Sequence, residues 1–98
     1  MIAALLIVTV FSVGGPPGTP RLPFPGVTVN ATYPSGRMTT LKTDRRGRAY
    51  VRFAPPGTYR LQAELRPPIS MPAPRPCESR SVRARGPVTR VRLYCQIR

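Results

Sequence analysis

Residues 41–65 constrain the fold of this chain most, because they alternate short extended runs with turn residues. A polar turn is predicted at residues 43–47, where an aspartate can bond to its own backbone and a glycine can adopt positive φ. A half-buried strand is predicted at residues 49–53, and the prolines at 55 and 56 end it. The strand that follows carries four apolar side chains on one face: Tyr59, Leu61, Ala63 and Leu65.

The proline and glycine content extends this pattern to the whole chain. Fourteen prolines and eight glycines in 98 residues argue against long helices, and no window shows a sustained 3.6-residue apolar period. Short strands separated by turn signals are typical of all-β proteins. A chain of this length makes one domain with a two-layer core, and it has few apolar residues beyond those that such a core needs. We therefore predict an all-β sandwich of six or seven strands.

Two runs of the sequence are similar to a known family. T-D-x-x-G-x-A-Y-V-x-F-x-P-P-G-T-Y-x-L-x-A, at residues 43–63, resembles the core of carboxypeptidase regulatory-like domains and of the related Cna B-type domains. L-P-F-P-G-V-T-V-N-A, at residues 22–31, is similar to the first conserved strand of that family, with one extra residue. The resemblance implies a Greek-key, prealbumin-like β-sandwich of secreted and surface proteins. Motifs of turns and strands carry almost no information on chemistry.

Cna B-type domains often contain an isopeptide bond between a lysine on the first strand and an Asn or Asp on the last, with a glutamate assisting. The position that corresponds to this glutamate is Ala63, no lysine precedes Lys42, and the last predicted strand has neither Asn nor Asp. The bond therefore cannot form in the family's way. A bridge between Cys77 and Cys95 would replace it as the covalent link.

The first 25 residues have two interpretations. Residues 1–14 are an apolar segment, too short to span a bilayer, and they suit either a signal or anchor sequence or the first strand of the sandwich, since β-branched residues are frequent in them. As a signal or anchor, this segment would be the chain's one contact with a membrane. Residues 15–25 are a proline- and glycine-rich connection. The β-sandwich domain is predicted at residues 26–98.

The end of the chain predicts a hairpin and a disulfide bond. A two-residue turn at Gly86-Pro87 would pair residues 79–85 with residues 88–98, and would place Val82 opposite Val91. Cys77 and Cys95 then lie one residue out of register, so that a bulge would bring them together. We predict that they form a disulfide rather than two thiols. A disulfide implies an oxidising compartment, hence a secreted or cell-surface protein.

The net charge of +13 comes almost entirely from arginine. Strand parity predicts that several arginines point outward on one face, with Arg83 opposite Arg90. Such a face suits an anionic polymer, although an Arg-rich, Lys-poor composition is also typical of a GC-rich coding sequence. Seven aromatic residues provide no stacking platform, so no specific nucleic-acid binding is expected. The candidate anion-binding residues are Arg60, Arg83, Arg85, Arg90 and Arg92.

The residue types argue against catalysis and cofactors. The sequence has no histidine, two cysteines and three acidic residues, which do not supply a zinc site or a catalytic pair with histidine. We expect no enzyme, no metal and no cofactor. The predicted function is a non-catalytic extracellular module with a structural or surface-interaction role, whose partner is an unidentified protein or envelope component. The alternative is a secreted polyanion-binding protein.

Overall fold

The computed structural model describes residues 4–14, 16–65 and 75–96, which form two β-sheets packed as a sandwich. Within these residues there is no helix, and hence no helix long and apolar enough to cross a membrane. The described residues form eight strands, one more than the largest number predicted, because the proline-rich connection contributes a strand of two residues. The strands are β1 Ala4–Val13, β2 Leu22–Pro23, β3 Thr28–Thr32, β4 Met38–Lys42, β5 Arg48–Ala54, β6 Gly57–Leu65, β7 Arg75–Ala84 and β8 Val88–Gln96.

The two sheets differ in the order of their strands and in strand direction. Sheet A has β1 at its centre, with β8 on one side and both β2 and β5 on the other. β1 is antiparallel to β2 and β5 and parallel to β8, so sheet A is mixed. Sheet B has the order β4-β3-β6-β7 and is antiparallel throughout. The fold is therefore an all-β sandwich, as the sequence predicts.

The apolar N-terminal segment is part of the sandwich. Leu6, Val8 and Val10 alternate along β1 and are fully buried, because side chains of a strand point alternately to its two faces and those on one face meet sheet B. This arrangement corresponds to the interpretation in which the segment is the first strand of the sandwich. The sandwich thus begins well before residue 26 and includes the connection through β2.

The predicted hairpin of the last two strands is wrong. β7 pairs with β6 in sheet B, where Val82 lies beside Tyr59, whereas β8 pairs with β1 in sheet A, where Val91 lies beside Val8. The turn at Arg85 is stabilised by Thr89, whose hydroxyl accepts the Arg85 N–H and donates to the Arg85 carbonyl. The chain therefore crosses here from the edge of sheet B to the edge of sheet A. Arg83 and Arg90 are therefore not opposite each other.

The core lies between the two sheets and is mostly aliphatic. Tyr59 is its largest fully buried side chain. Its hydroxyl donates a 2.7 Å hydrogen bond to the Pro55 carbonyl, and its ring packs against Tyr33. Burial raises the pKa of Tyr59 because the phenolate would lose its hydration, and the nearby Tyr33 adds to the effect. Buried apolar residues at alternate positions in both sheets account for the remaining core.

The polar turn at residues 43–47 is confirmed. The carboxylate of Asp44 accepts hydrogen bonds from the backbone N–H groups of Arg46 and Arg48, at 2.8 and 3.0 Å. Gly47 has φ 74°, and a side chain there would come within 2.8 Å of the backbone nitrogen of Phe24. Glycine is therefore required both by conformation and by space. The sequence also predicts a loop at residues 66–76, because five prolines there exclude a central strand. This loop falls mostly outside the described residues, although β7 begins at Arg75.

Candidate functional site

The disulfide between Cys77 and Cys95 is confirmed, but it links different elements from those predicted. Cys77 lies on β7 of sheet B and Cys95 on β8 of sheet A, with their Cα atoms 4.7 Å apart. The bond therefore joins the two layers at the edge where β7 and β8 lie side by side, rather than the two strands of one hairpin. Cys95 is fully buried and Cys77 is half-buried, which shields the bond on its sheet A side.

The five candidate arginines are all exposed, but they do not share one face. Arg60 and Arg83 lie on the outer face of sheet B, beside Ser81 and Thr58 respectively. Arg90 and Arg92 lie on the outer face of sheet A, and Arg85 is in the turn that connects the sheets. The prediction of a single face is wrong because it assumed that β7 and β8 pair with each other.

The outer face of sheet A also carries two arginines that were not among the candidates predicted from the sequence. Arg48 and Arg52 are exposed on β5, on the opposite side of β1 from Arg90 and Arg92. In the register of the sheet, Thr9 lies between Arg48 and Arg92. We call this surface the arginine face. Its cations are Arg48, Arg52, Arg90 and Arg92, and its central column is Ile7, Thr9 and Phe11.

Aromatic rings on this surface contact each other and two arginine side chains. Tyr94 of β8 stacks on Phe11 of β1, with ring centroids 5.8 Å apart. The guanidinium group of Arg21 lies 5.0 Å from the centroid of the Tyr94 ring. On the other side of β1, the guanidinium of Arg52 lies 5.4 Å from the centroid of Tyr50. Both distances are within the range of cation–π attraction.

The three acidic side chains of the sequence are engaged with other groups. Asp44 binds the backbone of its own turn, and its charge also interacts with Arg48. Glu78 accepts the backbone N–H of Tyr94 and forms a 3.7 Å salt bridge with Arg80. Glu64 accepts a hydrogen bond from Asn30 on sheet B. Within the described part of the chain, no salt bridge neutralises the four guanidinium groups of the arginine face.

A depression over β8 gathers several of these cations. Its lining includes Arg48, Arg90 and Arg92 of the arginine face, together with Arg80 from the adjacent edge of sheet B. Ile7 and Phe11 form part of its apolar lining. Such a surface can bind several oxyanions at once, since a guanidinium group presents a planar set of N–H donors.

One other sequence feature has a defined place in the structure. Asn30, the first residue of an N-A-T glycosylation motif, lies inside β3, and its side-chain amide donates to Glu64 and accepts from Thr40. Its amide nitrogen is thus already bonded within the sheet. Among residues 4–14, 16–65 and 75–96, no group of three or more metal-ligating side chains is present.

Strand parity alone could not locate the arginine face. Parity predicts which side chains of a strand point outward, and Arg48 and Arg52 alternate with the buried Ala49 and Val51 in the same way as Arg90 with Val91. The missing information was that β5 and β8 lie on either side of β1. Pairing between strands that are distant in sequence leaves no local signal in composition or periodicity.

Comparison with known proteins supports the fold and leaves the family open. No family model matches this chain, and no curated protein matches it. A solved structure described as the Bacillus anthracis TIE protein is similar, with a TM-score of 0.69 and 12% sequence identity. The similarity covers 97% of this chain and 16% of that one. At this identity the likeness shows a common β fold over nearly the whole chain.

Proposed function

We propose that this chain is a non-catalytic β-sandwich module of an exported protein, with a structural or surface-interaction role. The observation that carries the proposal is the Cys77–Cys95 disulfide, which joins the two layers of the sandwich. Disulfides persist in oxidising compartments and are reduced in most cytosols. A small domain with a limited core gains stability from such a link. The fold type we propose is the prealbumin-like Greek key of carboxypeptidase regulatory-like and Cna B-type domains.

The side chains available for chemistry support a role without catalysis. The sequence lacks histidine, the usual general base near neutral pH. Asp44 is committed to its turn and Glu78 to Arg80. A general acid–base pair needs two such groups beside a substrate, with pKa values suited to proton transfer. The partner we propose is a protein or envelope component that contacts an outer face of the sandwich.

Export and disulfide formation are tested on the protein recovered from the cells that naturally produce it and from their surroundings. Because β1 is the central strand of sheet A, we expect the recovered chain to retain residues 4–13. Its mass under non-reducing conditions should be two protons below that of the dithiol. An intracellular product with two alkylatable thiols would contradict export. An extracellular product that is folded but lacks residues 4–13 would contradict the role of β1 in the sandwich.

A second function is favoured by a separate observation, the arginine face. Four exposed arginines on one face, with no salt bridge from the described residues, attract anionic polymers. We propose that this face binds a polyanion. Retention of the protein on heparin–agarose should then fall steeply as salt increases, because each neutralised anion releases counterions. Elution near about 0.1 M salt, where charge screening is still incomplete, would contradict this second function.

A further inference from the structure

We infer that the arginine face takes an anionic polysaccharide, held by guanidinium groups at its carboxylate or sulfate groups and by apolar side chains at its sugar rings. The inference rests on the second proposed function, polyanion binding, and specifies the polymer. Four features of the face support it: its width, the contacts of guanidinium groups with aromatic rings, the occupation of those rings, and its charge.

The dimensions of the face suit an extended chain lying across or along three strands. Adjacent strands are about 4.8 Å apart, so Arg48 and Arg92, on either side of Thr9, have backbones roughly 10 Å apart. Arg90 and Arg92 are two residues apart on β8, which is roughly 7 Å. The described residues of this face lie on strands of one sheet and include no helix that could enter a nucleic-acid groove. The face can follow a linear polymer that carries its charges at intervals.

Two guanidinium groups, one on the arginine face and one beside it, contact aromatic rings before any ligand arrives. Arg52 lies over Tyr50 and Arg21 over Tyr94, at 5.4 and 5.0 Å from the ring centroids. A guanidinium group held near a ring still has N–H donors for other groups, and these donors match the geometry of carboxylate, sulfate and phosphate. Part of the side-chain entropy lost on binding is then already lost in the unbound protein. These ring contacts therefore favour binding of oxyanions on a flexible chain.

The aromatic rings distinguish a polysaccharide from a single-stranded nucleic acid. Proteins that bind single strands stack successive bases on exposed aromatic faces. Here the ring of Tyr94 already contacts both Phe11 and Arg21, and the ring of Tyr50 contacts Arg52. These contacts compete with stacking of bases. The half-buried column at Ile7 and Phe11 still offers apolar contact to the C–H faces of sugar rings.

The charge of the face selects an acidic polysaccharide over a neutral one. Arg48 and Arg92 lie on either side of Thr9, Arg90 lies beside Ile7, and Arg52 lies beside Leu5. No salt bridge from the described residues neutralises these four arginines. Four like charges within this area repel one another, so an anionic ligand relieves the repulsion when it binds. A neutral sugar chain would pack on the apolar column and leave the repulsion unchanged.

The test is a calorimetric titration of the whole chain with a heparin oligosaccharide, a sulfated and carboxylated polysaccharide. Two double variants with equal charge change are compared: Arg90→Gln with Arg92→Gln on sheet A, and Arg60→Gln with Arg83→Gln on sheet B. All four residues are exposed, so both variants should fold, which a circular dichroism spectrum checks. We expect the sheet A variant to bind about tenfold or more weakly at about 0.15 M salt. The sheet B variant should stay within about twofold.

Equal weakening of the two variants would overturn the inference, because binding would then follow net charge and not the arginine face. Three comparison ligands identify the polymer: poly(dT), vesicles with anionic phospholipid, and neutral dextran. Tighter binding to poly(dT) or to the vesicles than to heparin would overturn the polysaccharide and leave the second proposed function intact. Binding to none of the charged ligands would refute that function as well. Equal binding to dextran and heparin would refute the role of the arginines.

Discussion

At the scale of single residues, Asp44 shows how one side chain organises a connection between strands. Its carboxylate accepts two backbone hydrogen bonds in the turn from β4 to β5. The hydrogen bond from the Arg48 N–H, with that from Arg46 and the charges of both arginines, holds the pKa of Asp44 below its ordinary value of 3.8, although desolvation partly opposes the shift. The ionised form is therefore favoured in the folded state.

The pH dependence follows from the sign of this shift. A depressed pKa in the folded state gives a stabilisation that is complete above about pH 3.8, the ordinary value, and that is lost as the pH falls through the lower, folded value. We expect Asp44→Asn, which keeps an oxygen acceptor and cannot titrate, to have a melting temperature that falls less between about pH 5 and pH 2.5 than that of the native chain.

Asp44→Ala is the matched control for this measurement. It also cannot titrate, but it removes the acceptor of both turn hydrogen bonds. Its melting temperature should lie below that of Asp44→Asn at every pH, because the two backbone N–H groups lose their partner. Parallel acid profiles for the native chain and both variants would show that the carboxylate contributes nothing to acid stability.

Local residue chemistry is the part of the fold that the sequence predicts best. The Asp44–Gly47 turn and the inward face of β6, with Tyr59 and Leu61, both depend on preferences that act within a few residues. The buried Thr43 was not predicted. Its hydroxyl accepts the Val27 N–H and donates to the Phe24 carbonyl, and both partners are distant in sequence, so no local pattern indicates them.

At the scale of elements, β1 is the strand on which sheet A depends. It pairs with β8 along nine residues and with β5 on its other side. Its apolar sequence fits a secretory signal as well as a strand, because both require a short run of aliphatic residues. In the structure this run is a strand, and its Leu6 side chain is fully buried in the core.

We therefore expect Leu6→Ala to lower the free energy of unfolding by about 2–5 kcal/mol, the cost of the lost burial and of the cavity. Thr9→Ala, on the outward face of the same strand, should cost about 1 kcal/mol or less. Urea unfolding followed by circular dichroism measures both. If neither substitution changed the unfolding midpoint, β1 would not belong to the folded domain in solution.

At the scale of elements, the sequence did not predict the pairing partners of the last two strands. The inward and outward residues of β7 and β8 were predicted by parity, and Val82 and Val91 do point toward the core. The partner of each strand was not predicted, because a short turn such as Arg85–Val88 can connect two strands of one sheet or pass between layers. The choice depends on β6 and β1, which are free to pair at those edges only in the assembled sandwich. The arginine face was missed for this reason.

At the scale of the whole molecule, the disulfide links the two sheets, whereas in a hairpin it would link two strands of the same sheet. Hydrogen bonds already hold β7 to β6 and β8 to β1, so each sheet is complete without the bond. Cys77 and Cys95 instead join the two sheets at one edge. On the opposite side of the sandwich, β4 and β5 are the corresponding edge strands. Loss of the bond should therefore loosen the packing between layers and leave the strand pairing in place.

Reduction of the bond tests this arrangement. The two cysteines are 18 residues apart, and closing a loop of this size stabilises the folded state by roughly 3 kcal/mol in the chain-entropy model. We expect a reductant to lower the free energy of unfolding by about that amount, while the far-ultraviolet spectrum stays that of a β protein. The double variant Cys77→Ala with Cys95→Ala should have a free energy of unfolding close to that of the reduced chain and should be insensitive to reductant.

Backbone amides of β7 and β8 should keep most of their protection from hydrogen exchange in the reduced chain, since their partners lie on β6 and β1. Complete loss of protection in both strands on reduction would show that the disulfide, and not pairing within each sheet, holds this edge together.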